Sequence, residues 1–141
     1  MKQPLRYVPP VLALIGATAG WHGVPAQHAD IPFKVDEATA QRLAAEGDHG
    51  SATGLEYFDP DSQSGSFFVF HGLTKPPAEG SFGYFAVNPW TGDVWALWGC
   101  HRLSTPALRR SQAALRRRFS REELKQYGRL RDLKPECIVE D

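Results

Sequence analysis

The stretch FGYFAVNPWTGDVW, residues 82–95, decides the fold, because it joins two apolar runs through a tight turn. The turn is Pro89-Trp-Thr-Gly92, in which Gly92 supplies the positive φ that such turns favour. The connection is too short for a helical crossover, so the two runs are expected to pair as antiparallel strands. We predict one strand over 82–88 and the next over 93–98.

Two further strands are predicted upstream of this hairpin. Residues 53–58 and 66–71 are rich in aromatic and β-branched side chains, which favour strands. The segment 59–65 between them is dense in Asp, Ser, Pro and Gly, and a longer connection containing two prolines covers 72–80. The sequence therefore predicts an antiparallel meander of about four strands.

Helices are predicted on both sides of the sheet. Asp36 is a suitable N-cap for a helix that follows a mobile lead-in over 27–34. After the sheet, Thr105 caps a helix with proline at its first position, and Ser120 opens a capping box for a shorter helix that stops at Gly128. We expect an α+β domain, with one helix before the sheet and two after it.

The amino terminus has the pattern of an export signal. Lys2 and Arg6 precede a short apolar run over 11–19, and small or apolar residues precede a cut after Ala26. We predict a signal peptide at 1–26, a single domain at 27–141 and a periplasmic or secreted location. The apolar run is shorter than the roughly 20 residues of a transmembrane helix. A buried amino-terminal strand or helix is the alternative.

The chain has two cysteines, Cys100 and Cys137. In an oxidising compartment they are expected to form one disulfide, which would fasten the carboxy-terminal tail to the end of the fourth strand. Two buried free thiols are the alternative. The spacing excludes a redox-active CxxC pair.

Charge is distributed unevenly along a chain whose formal net charge is zero. Residues 27–100 hold three basic and ten acidic residues, whereas residues 101–141 hold eleven basic and six acidic ones. Seven arginines and no carboxylate lie between Arg102 and Arg121. Such an asymmetry either pairs with the protein's own acidic half or attracts an anionic partner.

The arginines of the helix after Thr105 are therefore candidate binding residues, in particular Arg109, Arg116 and Arg117. An exported protein rarely meets nucleic acid, which is excluded as a partner. An acidic protein face, an anionic envelope polymer or phospholipid headgroups are better matches for these side chains.

Aromatic residues make both faces of the predicted sheet apolar, whereas a solvated antiparallel sheet alternates apolar and polar side chains. Three modest helices either cover both faces together with the long loop, or leave an aromatic surface for a partner or a second copy. Trp90 lies at the tip of the turn and is the hardest of these residues to bury. We predict a contact surface formed by Trp90, Tyr84 and Trp95.

No motif for catalysis or cofactor binding is present: the chain has no HExxH, no GxSxG and no phosphate-binding glycine loop. Cys100 and His101 are adjacent, so on a strand their side chains would point to opposite faces. The spacing of His49, His71 and His101 does not favour a metal site. We therefore predict no catalytic residue, no metal ligand and no cofactor.

Residues 82–95 resemble the hairpin of PepSY-type domains, exported or membrane-tethered modules in which a helix precedes a small antiparallel sheet. The predicted helix 36–46 has the corresponding place in the order. The resemblance implies a binding or inhibitory module rather than an enzyme, and no catalytic residue is carried over from it. The chain departs from the pattern through its arginine-rich helical extension and its predicted disulfide. In size, export and disulfide it is also similar to small periplasmic inhibitor or immunity proteins that block cell-wall-degrading enzymes.

The sequence thus predicts an exported, non-enzymatic binding protein of the periplasm, such as an inhibitor or immunity protein of an envelope-acting hydrolase. Its partner would be a protein of the cell envelope or an anionic envelope polymer. An envelope glycan-binding protein or hydrolase, and a structural homodimer, are the alternatives.

Overall fold

The computed structural model describes residues 31–48, 54–58, 66–74 and 80–138. The predicted signal peptide and His49 lie outside these residues. The elements, in chain order, are α1 (Glu37–Gly47), β1 (Gly54–Phe58), β2 (Phe68–Leu73), β3 (Ser81–Val87), β4 (Val94–Ala96), β5 (His101–Arg102), α2 (Pro106–Arg116), α3 (Arg121–Leu124) and α4 (Tyr127–Asp132).

The strands form one antiparallel sheet in the order β1-β2-β3-β4-β5. This confirms the α+β class and the meander, and it adds a fifth strand. The fourth strand ends at Ala96 rather than at residue 98, because Gly99 and Cys100 both have positive φ, at 74° and 47°, and reverse the chain. His101 then pairs back onto Ala96. A strand of two residues is too short to leave a periodic pattern in the sequence.

The predicted helix caps are confirmed. The Asp36 carboxylate accepts a hydrogen bond from the backbone N–H of Thr39 at 2.8 Å, and the Thr105 hydroxyl accepts one from Leu108 at 3.1 Å. Ser120 forms the complete capping box. These side chains satisfy backbone N–H groups that have no partner within a helix, which fixes where each helix begins.

The carboxy-terminal helices differ from the prediction at Gly128. The chain forms two short helices, α3 and α4, and the second passes through Gly128 instead of stopping there. Gly128 is exposed, and a side chain at this position would meet nothing within 4 Å. The helix is held by Leu130, which is fully buried, so tertiary packing overrides the low helix propensity of glycine.

Both faces of the sheet carry buried apolar side chains, as predicted. On one face, α1 and α2 pack against the strands. That cluster contains Val35, Ala40, Leu43, Ala44, Phe70, Phe85, Val87, Val94, Leu108 and Leu115. On the other face, Leu133 from the segment after α4 packs on a smaller cluster, which contains Phe67, Val69, Ala86, Trp95 and Leu97.

The lead-in before α1 is docked rather than loose over residues 31–34, so the predicted mobile lead-in is wrong there. Ile31 is buried, and the backbone N–H groups of Lys34 and Val35 both donate to the Pro89 carbonyl, at 2.9 and 3.0 Å. The sequence gives little sign of this docking, because the contacts come from a turn more than fifty residues away.

The disulfide between Cys100 and Cys137 is present, with its Cα atoms 5.5 Å apart. It fastens the tail as predicted, and a parallel bridge between Trp98 and Ile138 continues the attachment. Within the described residues, no helix has the length and apolar character needed to cross a bilayer.

Candidate functional site

Trp90 is buried, so the prediction of an exposed aromatic contact at the turn is wrong. Its side chain is 5 % exposed, and its indole N–H donates to the Ile31 carbonyl at 2.8 Å. Phe33 packs edge-on against the ring, with 5.1 Å between ring centroids. The docked lead-in and α4 enclose the turn, in a cluster that includes Leu130 and Phe119.

Asn88 holds this turn against α4. Its side-chain oxygen accepts from the backbone N–H groups of Trp90 and Thr91, at 2.9 and 3.1 Å. Its amide group donates to the Leu130 carbonyl at 2.7 Å. Gly92, at φ 72°, leaves no room for a side chain, because a Cβ atom there would lie 2.6 Å from a methyl group of Leu115. The turn is therefore part of the core and not a docking surface.

Trp95 and Tyr84 do not join Trp90 in one surface. Trp95 is 6 % exposed and lies on the opposite sheet face, where the Arg102 guanidinium stacks 5.0 Å from its ring centroid. Tyr84 is half-buried and stacks on His71, with 4.6 Å between centroids. The structure thus separates the three predicted aromatic residues and covers two of them.

The aromatic side chains that are exposed are not the three that the sequence predicted. Phe82 and Trp98 lie beside a groove of about 320 Å³, which Phe85 and His101 also line. The Trp98 ring lies over Gly83, where a Cβ atom would be 3.4 Å from it. Sequence reasoning missed this groove, because Phe82 falls at an irregularity in β3 pairing and Trp98 falls just past the end of β4.

The predicted arginines lie together on the solvent side of α2. Leu108 and Leu115 bury the inner side of the helix. The opposite side presents exposed arginines, which we call the arginine surface: Arg109, Arg110, Arg116 and Arg117. Residues seven apart nearly superimpose along a helix, so these four side chains form two neighbouring rows.

None of these arginines is within ion-pair distance of a carboxylate in the part of the chain that the structure describes. Ion pairs instead join Lys34 to Glu123, Arg42 to Glu46 and Lys125 to Glu122. The carboxylates nearest in sequence, Glu122 and Glu123, are therefore already paired with lysines. Among the described residues, no ion pair joins the arginine surface to the protein's acidic half.

Glu123 is held by two sets of donors. Lys34 donates to one of its oxygens at 2.7 Å, and the Ser120 backbone N–H donates to the other at 2.7 Å. The hydrogen bond from Lys34, followed by the one from Ser120, holds the pKa of Glu123 below its usual value. Both oxygens of this carboxylate are thus held by residues outside the arginine surface.

Two of the arginines have neutral neighbours. Arg109 donates to the Ser104 hydroxyl at 3.0 Å, and the Arg116 guanidinium lies 5.0 Å from the centroid of the Tyr127 ring. Burial raises the pKa of the Tyr127 phenol, and the negative charge of Asp93 raises it further. The ring is therefore uncharged near neutral pH, and it positions Arg116 through a cation–π contact without cancelling its charge.

An open hollow of about 630 Å³ adjoins this surface where α2 turns into α3. Ala113, Phe119 and Leu124 give it an apolar floor, and Arg116 and Arg117 form its rim. Leu124 is 39 % exposed. The hollow thus places the exposed side chains of Ala113 and Leu124 beside arginines that have no carboxylate partner among the described residues. Among the described residues, no group of three or more potential ligands for a metal ion is present.

Comparison with known proteins gives little further information. No family model matches the chain, so the resemblance of residues 82–95 to PepSY-type domains gains no support. No curated protein matches it either. Among solved structures, a chain of a type VI secretion system effector–immunity complex from Pseudomonas protegens is 22% identical, with a TM-score of 0.49. The match covers 77% of this chain and 98% of that one. That similarity is too low to establish a shared fold or a shared role.

Proposed function

We propose that this chain is an exported, non-enzymatic protein-binding module of the inhibitor or immunity type, and that it docks on an acidic face of an envelope-acting hydrolase. The observation that carries the proposal is the arginine surface: four exposed guanidinium groups on one helix, without a carboxylate partner among the described residues. Arg109, Arg116 and Arg117 keep the contact role that the sequence suggested for them.

The physical argument is that the positive charges of these side chains add together. Their summed field attracts an acidic surface and speeds its association. Once docked, each guanidinium offers a planar fork of donors that matches a carboxylate in two parallel hydrogen bonds. Arginine is among the residue types that contribute most to binding energy in protein interfaces. A surface of this kind needs no reacting group, which agrees with a role in binding.

Export is supported by the signal-like pattern of residues 1–26 and by the disulfide between Cys100 and Cys137, which is typical of oxidising compartments. An exported binding protein meets its partners in the cell envelope. We therefore place both the protein and the proposed hydrolase in the periplasm.

Reversing two charges of the arginine surface is expected to lower partner recovery at least about tenfold, because an arginine that is a binding hot spot contributes about 2 kcal/mol or more. The variant is Arg116→Glu with Arg117→Glu. The measurement is quantitative mass spectrometry of proteins retained from the envelope fraction by the immobilised protein. Losing the contact between Arg116 and Tyr127 is expected to lower the stability of the variant by about 0.5–1 kcal/mol. Circular dichroism would therefore check that the variant still folds.

A matched control changes the net charge equally outside the arginine surface. Arg131→Glu with Lys134→Glu alters two exposed residues of α4 and the tail. The control is expected to retain the partner. Equal losses in both variants would show that overall charge, rather than the arginine surface, governs the recovery, and would contradict the proposal.

A further inference from the structure

We infer that the hollow beside the arginine surface receives one large apolar side chain from an acidic segment of the partner protein. This inference rests on the proposed function and specifies the chemistry that the site selects. It joins two features: the apolar floor formed by Ala113, Phe119 and Leu124, and the charged rim formed by Arg116 and Arg117.

The apolar floor of the hollow favours an apolar group of the partner. Leu124 belongs to the four-residue helix α3 and keeps 39 % of its surface exposed, although the chain buries most of its other leucines more fully. Phe119, which also lines the hollow, is 7 % exposed. The open volume of about 630 Å³ exceeds what a phenylalanine or leucine side chain occupies. Covering Leu124 with such a side chain removes apolar surface from water, which favours binding.

The arginines of the rim favour carboxylates on both sides of that apolar group. Arg116 is already oriented by the Tyr127 ring, so less side-chain freedom is lost when it binds an anion. Arg117 is exposed and makes no side-chain hydrogen bond or ion pair within the described residues. The aliphatic stems of both arginines also extend the apolar wall of the hollow. A segment in which acidic residues flank one apolar residue can pair with the arginines of the rim and cover the apolar floor at the same time.

The amount of exposed apolar surface favours a protein over a membrane. Peripheral proteins bind lipid with several apolar side chains that protrude beyond the polar face of a helix and enter the acyl region. Among the residues that line the hollow, Leu124 is 39 % exposed and Phe119 is 7 % exposed, which is enough to contact one side chain of a partner and too little to anchor a helix in lipid. An anionic glycan would satisfy the arginines and leave Leu124 uncovered.

The test uses short peptides as probes and NMR spectroscopy of the purified, 15N-labelled protein. One peptide is Ac-Asp-Glu-Phe-Asp-Glu-NH2, and the second has serine in place of phenylalanine. We expect the phenylalanine peptide to bind at least about fivefold more tightly, the effect of burying part of one apolar side chain. The shifted resonances should belong to Ala113, Phe119 and Leu124.

Two variants separate the contributions. Leu124→Gln makes the floor polar at a partly exposed position, and should remove the preference for the phenylalanine peptide over the serine peptide. Arg117→Gln should weaken both peptides alike. Because Leu124 is partly exposed, the first variant is expected to fold, which the spectrum itself would confirm.

The outcomes distinguish this inference from the proposed function. Equal binding of the two peptides, or shifts that lie elsewhere, would overturn the inference, while the proposal would stand if partner recovery still depends on Arg116 and Arg117. Binding to phosphatidylglycerol vesicles without binding to either peptide would overturn both and assign the surface to membranes.

Discussion

Replacing Trp90 with alanine is expected to lower the free energy of unfolding by about 3–5 kcal/mol, the range measured for removal of a large buried aromatic side chain. The ring closes a cluster with Ile31, Phe119 and Leu130. Its indole N–H also bonds the Ile31 carbonyl, so the substitution leaves a buried acceptor unsatisfied. Domains of this size are stable by only about 5–15 kcal/mol, so chemical denaturation would show a large shift of the midpoint.

A tryptophan elsewhere in the chain gives the control. Trp98 is 38 % exposed, and its ring lies over Gly83 and edge-on to Tyr84. Trp98→Ala is therefore expected to cost about 1–2 kcal/mol, well below the loss at Trp90. Similar losses for the two variants would mean that the turn is not a core element, and that Trp90 is available at the surface after all.

Removing the disulfide with Cys100→Ser and Cys137→Ser is expected to destabilise the fold by about 3–4 kcal/mol, according to the chain-entropy model for a loop of this length. The bond closes a separation of 37 residues that contains α2, α3 and α4. Without it, the tail is attached mainly by Leu133 and by the bridge between Trp98 and Ile138. Urea denaturation of the two proteins under oxidising conditions measures the difference.

Chemical reduction of the unaltered protein supplies the control, because it removes the same bond without changing the sequence. We expect reduction and the double substitution to lower the unfolding free energy by similar amounts. A loss below about 1 kcal/mol in both experiments would be at odds with a structural role for the bond.

The parts of the fold that could be predicted from sequence depend on local interactions. The hairpin around Gly92 and the helix starts at Asp36, Thr105 and Ser120 each depend on residues within a few positions of one another, so short patterns are sufficient to find them. The disulfide could be predicted from the presence of two cysteines together with the predicted export signal.

The wrong predictions concern contacts between distant segments. The position of Trp90 in a tight turn predicts that its side chain is exposed. It is buried because the lead-in around Ile31 and the helix carrying Leu130 both pack against it. Helix α4 passes through Gly128 for the same reason, since burial of Leu130 outweighs local propensity. Neither contact has a periodic or spaced signature in the sequence.

The candidate site could be predicted in part. Helical periodicity places Leu108 and Leu115 on one side of α2 and the arginines on the other, so the arginine surface could be recognised before the structure. The hollow could not, because it forms where Ala113 of α2 meets Leu124 of α3 across the turn at Phe119. The sequence also does not show that, among the described residues, Glu122 and Glu123 pair with lysines rather than with these arginines.

Site-specific photo-crosslinking in the producing cell tests the central claim, that this protein docks on another protein through the arginine surface and its hollow. A benzophenone amino acid at Ala113, on the floor of the hollow, is compared with the same probe at the exposed Ala45 of α1. The account predicts a discrete protein adduct from Ala113 that disappears with Arg116→Glu and Arg117→Glu, and no matching adduct from Ala45. A protein adduct from Ala45 alone, or one from Ala113 that persists in the charge-reversed variant, would contradict it.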